Sequence, residues 1–349
     1  MKDSGTKVLS LNNGGYLILA NVENPGRGSD ICLIRTDKFG NTVGPPKLYG
    51  YERIDRGYTI KKNDQGYIIA GSSQDEENMF FNAYIIQIND NGDTVWTKKY
   101  GKVNGNDEVY DVFVHDDGRI ILTGYTDSIN VKKDILFLEL DSDGKKIGSA
   151  GQLGDAEDDV AYAVLPYGNT YVFAGYAHKR VLSLEYVKWA YLVIWRGIGP
   201  NQGYTLKADA EAIAIINKEP DEYLIACKTD SEDGSLITLA DVKADGTILW
   251  AKDFGQRSVN VPSDINIREG FVHITGTSTN TESTGDILLL TTRLDGEGPV
   301  YSYIGDGTSF AAGGFDYTGD GGFIITGSNF IGTNSIITLC KLDADGVLR

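Results

Sequence analysis

Cysteine, histidine, methionine and proline are all scarce here, at three, three, two and eight residues among 349. Cys32, Cys227 and Cys340 form no CxxC pair and are odd in number, so neither a zinc site nor a disulfide framework is encoded, and buried reduced thiols are expected. The prolines are never clustered, which excludes a rigid Pro-rich linker. His115 precedes a turn and His273 lies in an apolar run, where a hydrogen-bonded core histidine is the expected role. With His178 as the third histidine and no G-x-S-x-G elbow, no nucleophile arrangement is signalled, and the sequence offers no catalytic, metal-ligating or cofactor-binding set. No apolar run approaches the ~20 residues of a membrane-spanning helix. Positive charge is also in deficit, with 32 bases against 49 acids and a net charge of −17. That argues against nucleic acid, whose binding needs clustered Lys and Arg. It suits a large solvated β surface, or a basic or metal-bearing partner.

Glycine, by contrast, is abundant at 43 residues, and apolar residues make up 41%, enough for a core. A short apolar run closing on a small residue recurs at Tyr16–Ala20, Tyr67–Gly71, Ile120–Gly124, Tyr171–Gly175, Tyr223–Cys227, Phe271–Gly276 and Phe323–Gly327. The closing residues are 51, 53, 51, 52, 49 and 51 positions apart. Copies at such even spacing, each holding strand-sized pieces, predict an all-β, seven-bladed β-propeller of four-stranded blades. The expected blades are 1–50, 51–101, 102–154, 155–207, 208–255, 256–305 and 306–349, in one domain.

The second copy shows the pattern most clearly. Tyr58–Lys62 leads through a turn into Tyr67–Gly71, which is apolar on both faces, as suits a strand covered on each side. Ala83–Ile88 follows, and the last strand, Thr94–Gly101, alternates like one with a wet face. Third and fourth strands are joined at Asp37–Gly40, Asn89–Gly92, Asp141–Gly144, Lys243–Gly246, Asp295–Gly298 and Asp343–Gly346. In most of these an Asp or Asn opens the turn, and Gly at the fourth place takes positive φ. The distant bidentate Glu of an EF-hand loop is missing, so these are hairpin turns and not calcium loops. Only Val347–Arg349 remain to start a fourth strand in the last blade, which is therefore expected to have three full strands and an edge open to a partner strand.

The strings Gly14–Ala20, Asp117-Gly118 and Asp320–Gly327 resemble the DGGYIIxG core of a bacterial and archaeal β-propeller repeat. Asp134–Gly144 is similar to its D-x-Y-L-I-K-L-D-x-x-G part, and Trp96–Gly101 and Trp250–Gly255 to its W-x-K-x-Y-G part. The resemblance covers essentially the whole chain and is specific for the repeat class, not for an activity. It implies kinship with exported or lipid-anchored propellers of Bacteroidetes-like bacteria, hence a periplasmic or cell-surface location, with any tether upstream of Met1; the start itself carries no signal region, so a cytoplasmic location is the alternative. Copy four departs most, since Ile194–Gly199 replaces the usual turn.

Two sets of residues stand out as binding candidates. Acids and their neighbours recur where one copy passes to the next: Asp55-Arg56, Asp107-Glu108, Asp158-Asp159, Asp209 and Glu211. They either cap loop amides or form an acidic opening. In copy four, His178, Arg180, Tyr186, Trp189, Trp195 and Arg196 gather bases and aromatics, which either fill that blade's own core or hold a sugar or peptide. The expectation is a non-catalytic binding or scaffold propeller for a protein or glycan partner. The alternatives are a carbohydrate-active enzyme of sialidase- or lyase-like type, which would need Arg53, Arg56, Arg257 and Arg268 to converge, and a structural subunit of an envelope assembly.

Overall fold

The computed structural model describes residues 2–349 apart from 27, 52, 103, 129–130, 148–150, 155–156, 183–184, 196–201, 280–283 and 307. Among the described residues, antiparallel strands follow one another in sets of three or four, numbered here in chain order as sheets one to seven and divided between two compact units. The first unit holds residues 1–58 and 255–349, the second 59–254.

In the first unit, sheet one is Ser4–Ser10, Tyr16–Asn24, Gly28–Thr36 and Lys47–Tyr49. Sheet six is Val259–Arg268, Phe271–Thr279, Gly285–Arg293 and Val300–Ile304, paired in that order. Sheet seven has three strands among the described residues, Ser309–Tyr317, Phe323–Ile331 and Asn334–Leu342, with a single further bridge from Leu342 to Leu348. Sheets seven and one share a core in which Ile324 meets Val8, Tyr16 and Ile18. A parallel bridge joins Lys2 to Ser335, just as Ser29 is bridged to Ile54 at the passage from sheet one toward the next. The two ends of the chain thus meet through the same contact that links consecutive repeats.

The second unit carries sheets three, four and five and most of sheet two. Sheet two is Asp55–Asn63, Gly66–Gln74, Phe81–Ile88 and Thr94–Tyr100; sheet three is Asp107–Val114, Ile120–Ser128, Val131–Leu140 and Gly151–Leu153. Sheet four is Asp159–Tyr167, Thr170–Leu182, Glu185–Trp195 and Gln202–Ala208; sheet five is Ala210–Glu219, Glu222–Ser231, Gly234–Lys243 and Ile248–Phe254. Tyr67–Ser73 is buried at every position, whereas Thr94–Tyr100 has no buried residue, so apolar character falls from the second strand to the fourth.

Two sequence signatures acquire physical causes. Trp96 and Tyr100, from the W-x-K-x-Y-G string, pack on the third-to-fourth turn of the following sheet: Trp96 Nε1 donates to Ser142 O at 3.1 Å and the Tyr100 hydroxyl to Gly144 O. A Cβ on Gly144, whose φ is +76°, would lie 2.9 Å from the indole, so glycine serves both the turn and the close approach. The turns carry their Gly at positive φ at 40, 92, 144, 246 and 346, each donating its N–H to the carbonyl three residues back. In sheet six the register differs from the expected Asp295–Gly298. Gly296 closes onto Arg293 O, because the ladder runs to Arg293 and the turn starts there.

The second signature is the small residue closing each apolar run. It pairs with an inner strand that bulges by one residue beside it, at Gly5/Lys7, Val109/Asp111, Ala161/Ala163, Ala212/Ala214 and Pro262/Asp264. The bulge pushes a carbonyl toward the second strand. A Cβ on Gly124 or Gly175 would sit 1.8 or 1.9 Å from Glu108 O or Val160 O. Cys32, Cys227 and Cys340 are buried free thiols, their pKa values raised by burial to about 11, 12 and 11.

Candidate functional site

The inner strands of sheets three and four start at Asp107 and Asp159, and these two carboxylates, with Asp55 in sheet two, turn inward. Asp55 and Asp159 are 0% exposed and Asp107 3%. Asp55 Oδ2 accepts from Tyr51 N and Asp107 Oδ2 from Lys102 N, both at 2.8 Å. A Cβ on Gly154 would meet Asp159 Oδ2 at 2.6 Å. Asp55 and Asp107 therefore hold the loops that lead into their own strands, and Asp159 packs against Gly154 of its loop. Burial raises the Asp107 carboxyl above the usual range, with the Thr126 and Lys102 hydrogen bonds opposing.

Their neighbours make a packed aromatic cluster in which Glu108, Tyr125 and Tyr176 are buried and Tyr110 and Tyr162 stay partly exposed. Glu108 accepts the Tyr125 hydroxyl at 3.0 Å and the Ser72 hydroxyl at 3.4 Å. Glu211, at the equivalent place in sheet five, accepts the Tyr162 hydroxyl at 3.0 Å and the Lys188 ammonium at 2.7 Å. Between them runs a chain of rings. Tyr110 lies 6.0 Å from Tyr125 and 5.4 Å from Tyr162, and Tyr162 lies 6.0 Å from Tyr176. Tyr110 and Tyr162 are the bulge residues of their strands, which is why they turn to this end and remain half-buried. The Lys133 and Lys188 ammoniums stand 4.1 and 4.6 Å from the Tyr125 and Tyr176 ring centres. His178 Nδ1 lies 3.6 Å from Asp158 Oδ2, and its ring is 5.3 Å from Tyr176. Burial, then the Glu108 and Glu211 charges, drive the Tyr125 and Tyr162 hydroxyls well above the usual phenol range. Burial beside Asp158, Glu211 and Asp159 pushes Tyr176 up to about 12. All three are hydrogen-bond donors near neutral pH.

Beside this cluster stands an elongated hairpin. Sheet four's middle strands are 13 and 11 residues long and pair from Tyr171↔Trp195 out to Leu182↔Glu185. Arg180 and Tyr186 are exposed toward its tip, with the Lys132 ammonium 5.1 Å over the Tyr186 ring. Trp189 is half-buried opposite Ala177. Trp195 stands apart from this group: it stacks on Tyr171 and packs against Phe137 in the core shared by sheets three and four. Its strand position is seven residues from His178, about 23 Å along the ladder. Arg196 lies outside the described residues. Asp55 and Arg56 fall in the other unit. Of the arginines that an enzyme of sialidase type would bring together, Arg257 and Arg268 flank opposite ends of one strand. Arg257 pairs with Asp286 at 2.5 Å, and Arg268 donates to the Gly321 and Gly322 carbonyls.

No family model matches the chain, and no curated protein matches it. Among solved structures, the chain is similar to the β-propeller domain of the Trilobed protease from Pyrococcus furiosus, described as having an open velcro topology. The TM-score is 0.56 at 13% identity, over 97% of this chain and 93% of that one. The fold is a β-propeller. The chain is also similar to polysaccharide lyase Uly1, at 9% identity and TM-score 0.58, over 97% of this chain and 90% of that one. An acylaminoacyl peptidase from Pyrococcus horikoshii matches at 14% identity and TM-score 0.55 over 99% of this chain; the propeller spans about half the length of that peptidase, 52%. At these identities the likeness concerns the fold alone.

Proposed function

We propose that this propeller is a non-catalytic binding module that takes a glycan at the tyrosine–glutamate cluster of blades three to five, through its partly exposed members. The observation that carries the reading is the run Tyr125–Tyr110–Tyr162–Tyr176 set between Glu108 and Glu211. Aromatic faces accept the apolar C–H face of a sugar, and carboxylates held by tyrosine hydroxyls keep further lone pairs for sugar hydroxyls. The elongated hairpin with His178, Arg180, Tyr186 and Lys188 supplies donors along one side. A tyrosine acting as a general base must ionise near the working pH, and raised phenol pKa values oppose that, which favours binding over lyase-like chemistry. The polysaccharide lyase that shares the fold supports a carbohydrate ligand on such a scaffold without specifying one. In this reading the domain works outside the cytoplasm, tethered or free.

A glycan microarray probed with the whole chain, followed by calorimetric titration of the strongest oligosaccharide, tests this. Tyr110→Ala removes one stacking face worth about 1 kcal/mol or more, and is expected to weaken binding by about tenfold. Glu211→Gln is expected to weaken it comparably. Equal affinity in both variants, or an array with no bound glycan, sinks the reading.

A further inference from the structure

The repeat is broken at the outer edge of sheet seven. Its third strand, Asn334–Leu342, is the outermost of the sheet among the described residues, and only its two ends are engaged from outside. Asp3 N donates to Ser335 O at 3.3 Å, and Arg349 N donates to Lys341 O at 3.0 Å, beside the bridge from Leu342 to Leu348. The N–H and C=O groups of a strand change sides from one residue to the next. Ser335 and Lys341 point their carbonyls outward, so Ile337 and Leu339 do the same, and no strand meets them among the described residues. The gap in the ladder is thus bounded at both ends.

The side chains independently point to a strand in that gap. Counted from the residue that closes each second strand, Ile337 and Leu339 are equivalent to Ala83 and Ile85, Ile237 and Leu239, and Ile287 and Leu289. Those six lie in sheets with a fourth strand and are at most 2% exposed, whereas Ile337 and Leu339 are only half-buried at the side of the core shared with sheet one. A fourth strand elsewhere also lays a ring on the following sheet's turn. A Cβ on Gly144 would lie 2.9 Å from the Trp96 ring, and Gly246 is covered in the same way by Tyr204 of sheet four. The corresponding turn beside sheet seven is Asp37–Gly40 of sheet one. There a Cβ on Gly40 would meet only Leu339 Cδ2 among the described residues, at 3.8 Å, and Phe39 next to it is 77% exposed.

We propose that this edge is a strand-addition site that takes an extended segment of another polypeptide as the fourth strand of sheet seven, antiparallel to Asn334–Leu342. The segment continues the ladder that Arg349 begins, with hydrogen bonds to Leu339 and Ile337. Sheet two shows the side chains such a strand carries. Trp96 is level with Gln87 and Tyr100 with Ala83, and these places correspond to Lys341 and Ile337. The occupant is therefore a segment with two aromatic residues four positions apart, one ring closing over Gly40 and both sealing the seam between sheets seven and one. This site is independent of the glycan reading and stands if that reading fails.

The test is titration of the whole chain with an acetylated and amidated peptide of the sequence Trp96–Gly101, followed by amide hydrogen exchange. The peptide is expected to bind and to slow exchange at Ile337 and Leu339. In sheet two Lys98 is level with Ile85, the equivalent of Leu339, so N-methylation of the peptide at Lys98 removes an N–H aimed at the edge. That change, and separately Trp96→Ala with Tyr100→Ala in the peptide, are each expected to weaken binding by about tenfold or more. The protein is unaltered throughout, so a folding defect cannot imitate the result. No binding up to about 1 mM peptide, or undiminished binding of the N-methylated peptide, overturns the proposal. So does protection at Ala83–Ile88 in place of Ile336–Lys341, or slow exchange of Ile337 and Leu339 before any peptide is added.

Discussion

Replacing Gly124 by valine is expected to destabilise the protein by about 3 kcal/mol or more. The reason lies in backbone geometry, not in glycine's freedom of φ. Position 124 pairs with the bulged inner strand of sheet three, and a Cβ there would sit 1.8 Å from Glu108 O and 2.9 Å from Val109 Cα. Neither atom is the end of a flexible side chain, so a strand must move. The strand that moves carries Glu108 and Tyr110, and the substitution should damage the tyrosine–glutamate cluster along with stability. The contrast is position 20, where the equivalent residue is already Ala20, paired with Gly5. There the reverse change, Ala20→Gly, is expected to cost only about 1 kcal/mol. Urea unfolding of both variants checks the pair. A Gly124→Val protein as stable as the parent would mean the bulge is not the constraint described.

Stability is also expected to fall as pH drops from about 6.5 to about 4, by up to about 3 kcal/mol, through His273. Its imidazole is 6% exposed, its Nδ1 is 2.9 Å from the Tyr317 hydroxyl, and its ring packs on Tyr317 and Phe323. Burial, and then the Arg268 guanidinium stacked over Tyr317, lower its pKa from 6.5 to about 4. The folded protein keeps the ring neutral while the unfolded chain protonates it below about 6.5. The unfolded state therefore binds more protons between those values, and the loss is complete near pH 4. Burial lowers His115 too, which adds a loss of the same sign. His273→Gln should flatten much of this slope in denaturation midpoints measured from pH 7 to pH 4. An unchanged slope would assign the acid sensitivity to other groups.

The repeat made the fold legible because it is a physical period. Each copy must bury a second strand on both faces and turn at an Asx-Gly hairpin, and both demands leave residues at fixed spacing. The tyrosine–glutamate cluster was only half legible. Glu108 and Glu211 stand out as acids at one place in copies three and five, while Asp158 of copy four lies two positions earlier, level with Asn106 and Asp209. Tyr110 and Tyr162 do not, because the bulge that turns them to the cluster is a property of strand pairing. A signal was nonetheless present: a tyrosine falls three residues after Asp107 and again after Asp159. Trp195 misled in the other direction. Closeness to Trp189 in sequence grouped them, yet a strand rises about 3.3 Å per residue, and six residues carry Trp195 into the core beneath Tyr171.

Hydrogen–deuterium exchange with and without a saturating glycan, chosen from the array, tests the central claim most directly. Glycan binding at the tyrosine–glutamate cluster predicts slowed exchange at Asp107–Asp111, Asp158–Tyr162 and Tyr176–Arg180, with the turn at Glu219–Glu222 unaffected. Protection confined to other blades, with these three segments unchanged, would contradict it.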